Sequence, residues 1–396
     1  MGGNGLDFFS RTRAVFVSVS GLVAVAGLTL AQDPIPFEGQ EAASIHPASI
    51  QGSRRISTRP VEDAGTGLPI WRYRMVSPVN GGSYNGYMVG TDPIRDASTT
   101  TVPVLLIPLV AQFTNTTSGF TTTFDPSAAP DAGCPAGQTA MSLVENSPLF
   151  QNRPWTLNGV DVGVTQYIDA FQRSNFWEYL RNTGNGWHIL LTYTVGEPLM
   201  LSLSYAAATT AAEVRTGVAT SCTNPGGSGS TNGGAYIGIV DYVTLENAMI
   251  NYIAAHGITP NQLPIFILYN VEYSENGLFY LGGYHFSETF YPDALTSPGQ
   301  TFIMANFRTN SSGPYDVSIL SHEIAEWVND PGGFNGAPPW GNVGEVTGCK
   351  QALEVGDPLT QTDLPPIPGP NGFAYHLQEL AYFSWFFRTP SIGAGG

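Results

Sequence analysis

Residues 321–330 read Ser-His-Glu-Ile-Ala-Glu-Trp-Val-Asn-Asp, which sets an imidazole at His322 and carboxylates at Glu323, Glu326 and Asp330. In a chain with six histidines and only 12% charged residues, this is a marked concentration of chemistry. An imidazole and a carboxylate one helical turn apart can hold a divalent metal, and an adjacent carboxylate can take a proton from water. The spacing predicts a helix over 316–330. At about 100° per residue, Val317, Leu320, Ile324, Trp327 and Val328 share one side, with His322 and Glu326 opposite and Glu323 beside them. Asp316 is the expected N-cap, and Pro331-Gly332-Gly333 the stop. The plain alternative is an amphipathic helix whose acidic face is solvated.

The order His-Glu-x-x-Glu is the zincin arrangement His-Glu-x-x-His with its second histidine replaced by a carboxylate. One more anionic ligand cancels more of the metal's charge and weakens it as a Lewis acid. A third ligand must come from the acid-rich stretch that follows, where Glu345 and Glu354 are the candidates. Glu345 has the spacing from Glu326 seen in Glu-liganded zincins. His285, in Gly282-Gly-Tyr-His-Phe286, stands near a strand end, either as a structural histidine or facing the same cleft. No glycine-rich phosphate loop precedes a helix and no Gly-x-Ser-x-Gly elbow is present, so nucleophilic serine chemistry has no support.

Alternating patterns predict the elements that must position these groups. Trp71–Val76 and Ser83–Val89, around a Gly81-Gly82 turn, form a hairpin, and Val102–Val110 is an apolar run suited to a strand buried on both faces. Pro103 and Pro108 put the register of that run in question. A helix begins near Thr165. Trp187–Tyr193 follows as a strand with His188 at its solvent side, and Tyr242–His256 is a helix ending at Gly257. Strands Leu263–Tyr269, Leu278–Leu281 and Thr301–Phe307 lead into the 316–330 helix. Leu377–Arg388, rich in aromatics, reads as a terminal helix packed into a core. The Gly/Ser-rich stretch 223–234 reads as a flexible loop within the same unit.

A net charge of −16 and a pI near 4.6 argue against nucleic acid or an anionic membrane surface as partner. Forty-six glycines and thirty prolines fit a loop-rich exported protein. Arg11 and Arg13 precede an apolar run from Ala14 to Leu30, ending in Thr29-Leu30-Ala31 before Gln32. That pattern predicts a signal peptide over 1–31, because the run falls short of the roughly 20 apolar residues that a span needs. Residues 32–66 read as a mobile, propeptide-like leader, and 67–390 as a single domain. Of the three cysteines, Cys134 and Cys222 are expected to pair and Cys349 to stay free.

Ser321–Pro331 resembles the His-Glu-Leu-Ala-Glu-Ala-x-Thr-Asn/Asp-Pro box of the Exordium (phosphate-induced protein) family. It is closer still to secreted bacterial relatives of that family, in which the box is followed by Trp and then Glu-Ile/Val-Gly-Asp. Here that second motif is Glu354-Val-Gly-Asp357. The stretches Tyr84–Gly90 and Thr165–Trp177 are similar to those bacterial chains as well. The resemblance implies an extracytoplasmic α+β protein of zincin-like fold, with a mixed sheet, an active-site helix and an N-terminal β-hairpin region. It favours Glu354 as the third ligand, with Gly356 allowing a tight turn and Asp357 orienting His322 or a water. The implied site is then His322, Glu326 and Glu354 on a divalent metal and Glu323 as general base. Zinc is the first expectation, with calcium or manganese as alternatives given two carboxylates. The implied activity is a secreted peptidase acting on peptide or protein substrates. The alternative is a non-catalytic extracellular protein with a structural metal.

Overall fold

The computed structural model describes residues 57–59, 67–128, 138–181, 186–206, 212–216, 236–275, 279–287, 299–309 and 316–389. The expected signal peptide, most of the leader, Cys134, Cys222 and the 223–234 loop lie outside the described residues. Cys349 is free and exposed.

A single long strand, Thr99–Asn115, organises a mixed sheet. Its first half pairs in parallel with His188–Val195, and its second half with Leu199–Tyr205. From Val104 to Pro108 its other side takes Leu263–Ile267, also in parallel. Farther along, Ala111–Thr114 pairs antiparallel with Thr121–Phe124. Leu263–Tyr269 in turn pairs in parallel with Thr301–Phe307, and that strand pairs antiparallel with the edge strand Gly283–Ser287.

Both prolines of the long strand sit where it has a neighbour on one side only. Pro103 pairs with Thr192 one residue before the Leu263–Ile267 pairing starts at Val104. Pro108 pairs with Ile267 and falls in the gap between the partners of Leu106 and Leu109, Val195 and Leu199. A residue without an N–H donor is tolerated at such positions, so the strand continues through both.

Side chains alternate between two cores, as the period of two requires. Val102, Val104, Leu106, Ile265, Ile267 and Ile303 belong to one, and Ile107, Leu109, Phe113, Phe266, Leu268 and Phe302 to the other. The helix Tyr242–Ala255 covers the second face through Leu245, Met249, Tyr252 and Ile253. The first face receives the hairpin Ile70–Val76/Ser83–Val89, the helix Tyr167–Asn175 and the helix Ser318–Asn329, which carries the candidate chemistry.

That site helix is buried along its whole length, acidic side included, so its polar face is not a solvated one. It begins later than expected, and Asp316 is not its N-cap; Val317 is, without a side-chain bond. Asp316 is drawn away by other donors. Its Oδ1 accepts from the N–H of Val317 at 2.6 Å and of His376 at 3.0 Å, and Oδ2 stands 2.6 Å from His376 Nδ1. The helix ends at Asn329, with Asp330 as C-cap and Gly333 at φ 72° in the turn beyond.

The expected terminal helix is shorter, only Phe383–Phe387. Residues 377–381 are extended because other segments take their backbone groups. Leu377 O accepts from Leu364 N, Glu379 N donates to Thr362 O, and Ala381 N donates to Val355 O, each at 2.8 Å. This extended run delivers Gln378 to the site helix.

Candidate metal centre

His322 is fixed from behind. Its Nδ1 stands 3.1 Å from Gln378 Oε1, while Gln378 Nε2 donates to Gly356 O at 2.7 Å. The Gln378 N–H donates to Ser321 Oγ, and that hydroxyl donates to Ser318 O. With Nδ1–H held by an amide oxygen, the Nε2 lone pair is presented outward, as a metal-ligating imidazole requires. Gly356 passes so close that a Cβ there would lie 2.5 Å from His322 Nδ1. Its φ is −85°, so glycine is required there for space rather than for the tight turn expected from the sequence.

Nε2 faces two carboxylates. Glu326 Oε2 is 3.1 Å away and Asp357 Oδ1 is 3.5 Å away. Ligand atoms around a tetrahedral zinc at ordinary bond lengths stand about 3.4 Å apart, so both pairs made by His322 Nε2 have the spacing of a coordination set, and all three ligand atoms lie within 4.8 Å of one another. Both carboxylates are themselves oriented. Glu326 Oε1 accepts from Gly356 N at 3.0 Å, and Asp357 Oδ2 is 2.6 Å from Lys350 Nζ. The donor set, one imidazole and two carboxylates, suits a divalent cation, zinc or a harder one.

The structure brings together His322 and Glu326 as expected but sets Asp357, not Glu354, in this group. Glu354 is buried next to it, with Oε1 3.6 Å from Lys350 Nζ and Oε2 without a hydrogen-bond partner. Glu345, the spacing-based candidate, is half-buried and leans on Asp357 through its side chain and its N–H. Asp330 faces the loop rather than the metal triad, accepting from Phe334 N at 2.9 Å and Asn335 N at 2.7 Å. Asn335 in turn pairs with both backbone groups of Tyr87, tying the end of the site helix to the hairpin.

Glu323 projects toward the edge strand. Its Oε2 is 3.4 Å from Nδ1 of His285, and that nitrogen is 3.7 Å from Glu326 Oε2. His285 thus faces the cluster, the reading weighed against a purely structural role. His188 is instead held 2.7 Å from the buried Asp169, which also accepts from Thr165 and Ile189.

The charges explain the protonation pattern. Burial raises Glu326 to about 7, helped by Glu354 and Asp357 and opposed by His322. Burial also raises Asp330 and Glu345, each to about 8. For both imidazoles burial opposes the charged form, yet the surrounding acids prevail. His285 reaches about 9, and His322 is held well above its usual range, chiefly by Glu326. Asp357 stays well below the carboxylate range despite burial, because Lys350 and His322 flank it. Protons on the imidazoles therefore stand where a metal's charge would.

Sequence reasoning did not single out Lys350 or Gln378. Lys350 carried a signal, since it is the only lysine in 396 residues. Gln378 had none, because its role depends on a non-helical run that the aromatic residues after it draw into the expected helix. A groove of about 800 Å³ is lined by Pro358 and Leu359, which follow Asp357, and by Phe171, Tyr382, Leu380 and Trp385, but by none of the residues of the centre. No helix among the described residues is long and apolar enough to cross a membrane. In comparisons with known proteins, the chain matches no family model, no curated protein and no solved structure.

Proposed function

We propose that the chain is an extracytoplasmic, zincin-like, metal-dependent hydrolase acting on peptide bonds, with His322, Glu326 and Asp357 holding the metal. The observation that carries this reading is the pre-set triad, three buried ligand atoms whose pairs with His322 Nε2 measure 3.1 and 3.5 Å. The antiparallel edge strand Gly283–Ser287 beside the site helix supports it, since an extended peptide can lie along such an edge. A bound divalent cation supplies Lewis acidity toward a carbonyl and lowers the pKa of water.

The chain's own residues do the rest. Glu323 accepts a proton from water and returns it to the leaving amine, and His285 orients its carboxylate from the far side. Lys350 holds Asp357 in place, and Gln378 fixes the His322 ring.

The test is a metal-loaded protein offered a broad peptide library, with Glu323→Gln as control. Glu323→Gln should keep the His322-side metal and lose turnover by a factor on the order of 10²–10⁴. Equal cleavage by both proteins removes Glu323 from the mechanism. The depth of the site, with His322 only 8% exposed, favours a second reading in which the metal only braces the loop after the helix. That reading predicts metal binding, a large loss of thermal stability on chelation and no cleavage of any library member.

A further inference from the structure

Around Glu326 there is a second set of ligand atoms besides the triad above. His285 Nδ1 stands 3.4 Å from Glu323 Oε2 and 3.7 Å from Glu326 Oε2, and these three buried residues form a compact group of their own. The spacing again approaches the roughly 3.4 Å expected between ligands of one small cation. The two groups share Glu326, whose Oε1 is already taken by the Gly356 N–H. Its Oε2 thus faces both imidazoles, at 3.1 Å from His322 and 3.7 Å from His285.

A second, independent observation concerns a polar atom that nothing satisfies. Glu354 Oε2 is buried without a hydrogen-bond partner, in a residue 1% exposed. Leaving such atoms unpaired is costly, and a native protein seldom does so without a ligand or a water to meet them. Glu354 is buried as His285, Glu323 and Glu326 are, and both His285 and Glu326 feel its charge. Lys350 is committed to the opposite flank, on Asp357 and Glu354 Oε1.

We propose that the cluster holds a second divalent cation on His285, Glu323 and Glu326, with the Glu326 carboxylate shared between two adjacent metal positions. Buried Glu354, with its Oε2 unpartnered, is the remaining carboxylate among these charges. Hydrolases use paired metals about 3.5–4 Å apart to hold both oxygens of a displacement, and a shared carboxylate is suited to bridging such a pair. A cation there occupies the Glu323 oxygen nearest His285, so filling this position and proton acceptance by that oxygen exclude one another. The inference rests on the proposed metal centre only through the shared Glu326.

Metal-stripped full-length protein is dialysed against zinc alone, and bound zinc is measured by elemental analysis. Wild type should take two equivalents, His285→Ala one, and His322→Ala one. Saturation of wild type at one equivalent overturns the second position and leaves the first intact. Two equivalents in wild type and none in either variant make one composite site and also overturn it, whereas a zinc-free wild type removes both proposals together. Cobalt(II) titration of wild type requires no variant to fold. Two successive absorption steps are expected, and a single step overturns the inference.

Discussion

Asp357 is divided between two cations in prospect: Oδ2 belongs to Lys350, and Oδ1 points at the ligand nitrogen of His322. Asp357→Asn should therefore weaken zinc binding at the His322 position on the order of 100-fold or more, and Glu345→Gln by less than about tenfold. Paired zinc titrations measure both; a larger loss in Glu345→Gln restores the ligand suggested by spacing. The same residues set a pH dependence. In the metal-free protein His285 reaches about 9, and Glu326, Asp330 and Glu345 reach about 7 to 8, all above their unfolded values. The folded state then binds more protons than the unfolded one, and stability falls as pH rises. The His285 contribution is complete below about pH 6.5 and gone above about pH 9. The raised carboxyls act in the same direction from about pH 4.5 upward, whereas the depressed Asp357 matters only below that. Melting temperatures in chelator should decline from about pH 5 to about pH 9, and added zinc should raise them most at the alkaline end. A flat or rising profile would contradict this charge assignment.

Between residue and molecule, the site depends on three backbone segments passing very close together. Gly356 runs against the His322 ring, Gly344 against the carbonyl of Asp357, and Gly283 against Glu323 and Ile319. Gly356→Ala has no room at a rigid ring held by Gln378. It should cost about 1–3 kcal/mol in stability and reduce zinc affinity, measurable by denaturant melts and by titration. Such close approaches explain what the sequence could and could not reveal. The site helix was legible because period and chemistry coincide in it, the hairpin because its alternation is strong, and the buried strands because they are continuous apolar runs. Asp357 was visible only as a supporting acid, since nothing in Glu-Val-Gly-Asp says which carboxylate faces His322. The segment before Phe383 misled, because it reads as one helix with the aromatic-rich run that follows while its backbone donors and acceptors are taken by residues 355–364. Long-range hydrogen bonding decided that conformation, and local pattern does not report it.

Across the whole molecule, the aromatic end of the described chain locks the hairpin to the site layer. Phe383 packs edge-on against Tyr73 at 4.9 Å and tilts against Phe387 at 4.6 Å, while Trp340 meets Phe386 at 5.4 Å. Phe383→Ala should cost about 3–5 kcal/mol, read by equilibrium denaturation, and should loosen Gln378 behind His322. The long central strand has a different consequence, one that concerns the time before the fold exists. Thr99–Leu106 must wait for His188–Val195, and Val104–Pro108 for Leu263–Ile267, so its most apolar stretch emerges well ahead of every parallel partner. During that interval Val102–Val110 is an open template for joining another copy of itself. Pro103 and Pro108 interrupt that template, because neither can donate a hydrogen bond to a passing strand. In the finished sheet they are harmless; in the nascent chain they act as guards against self-association.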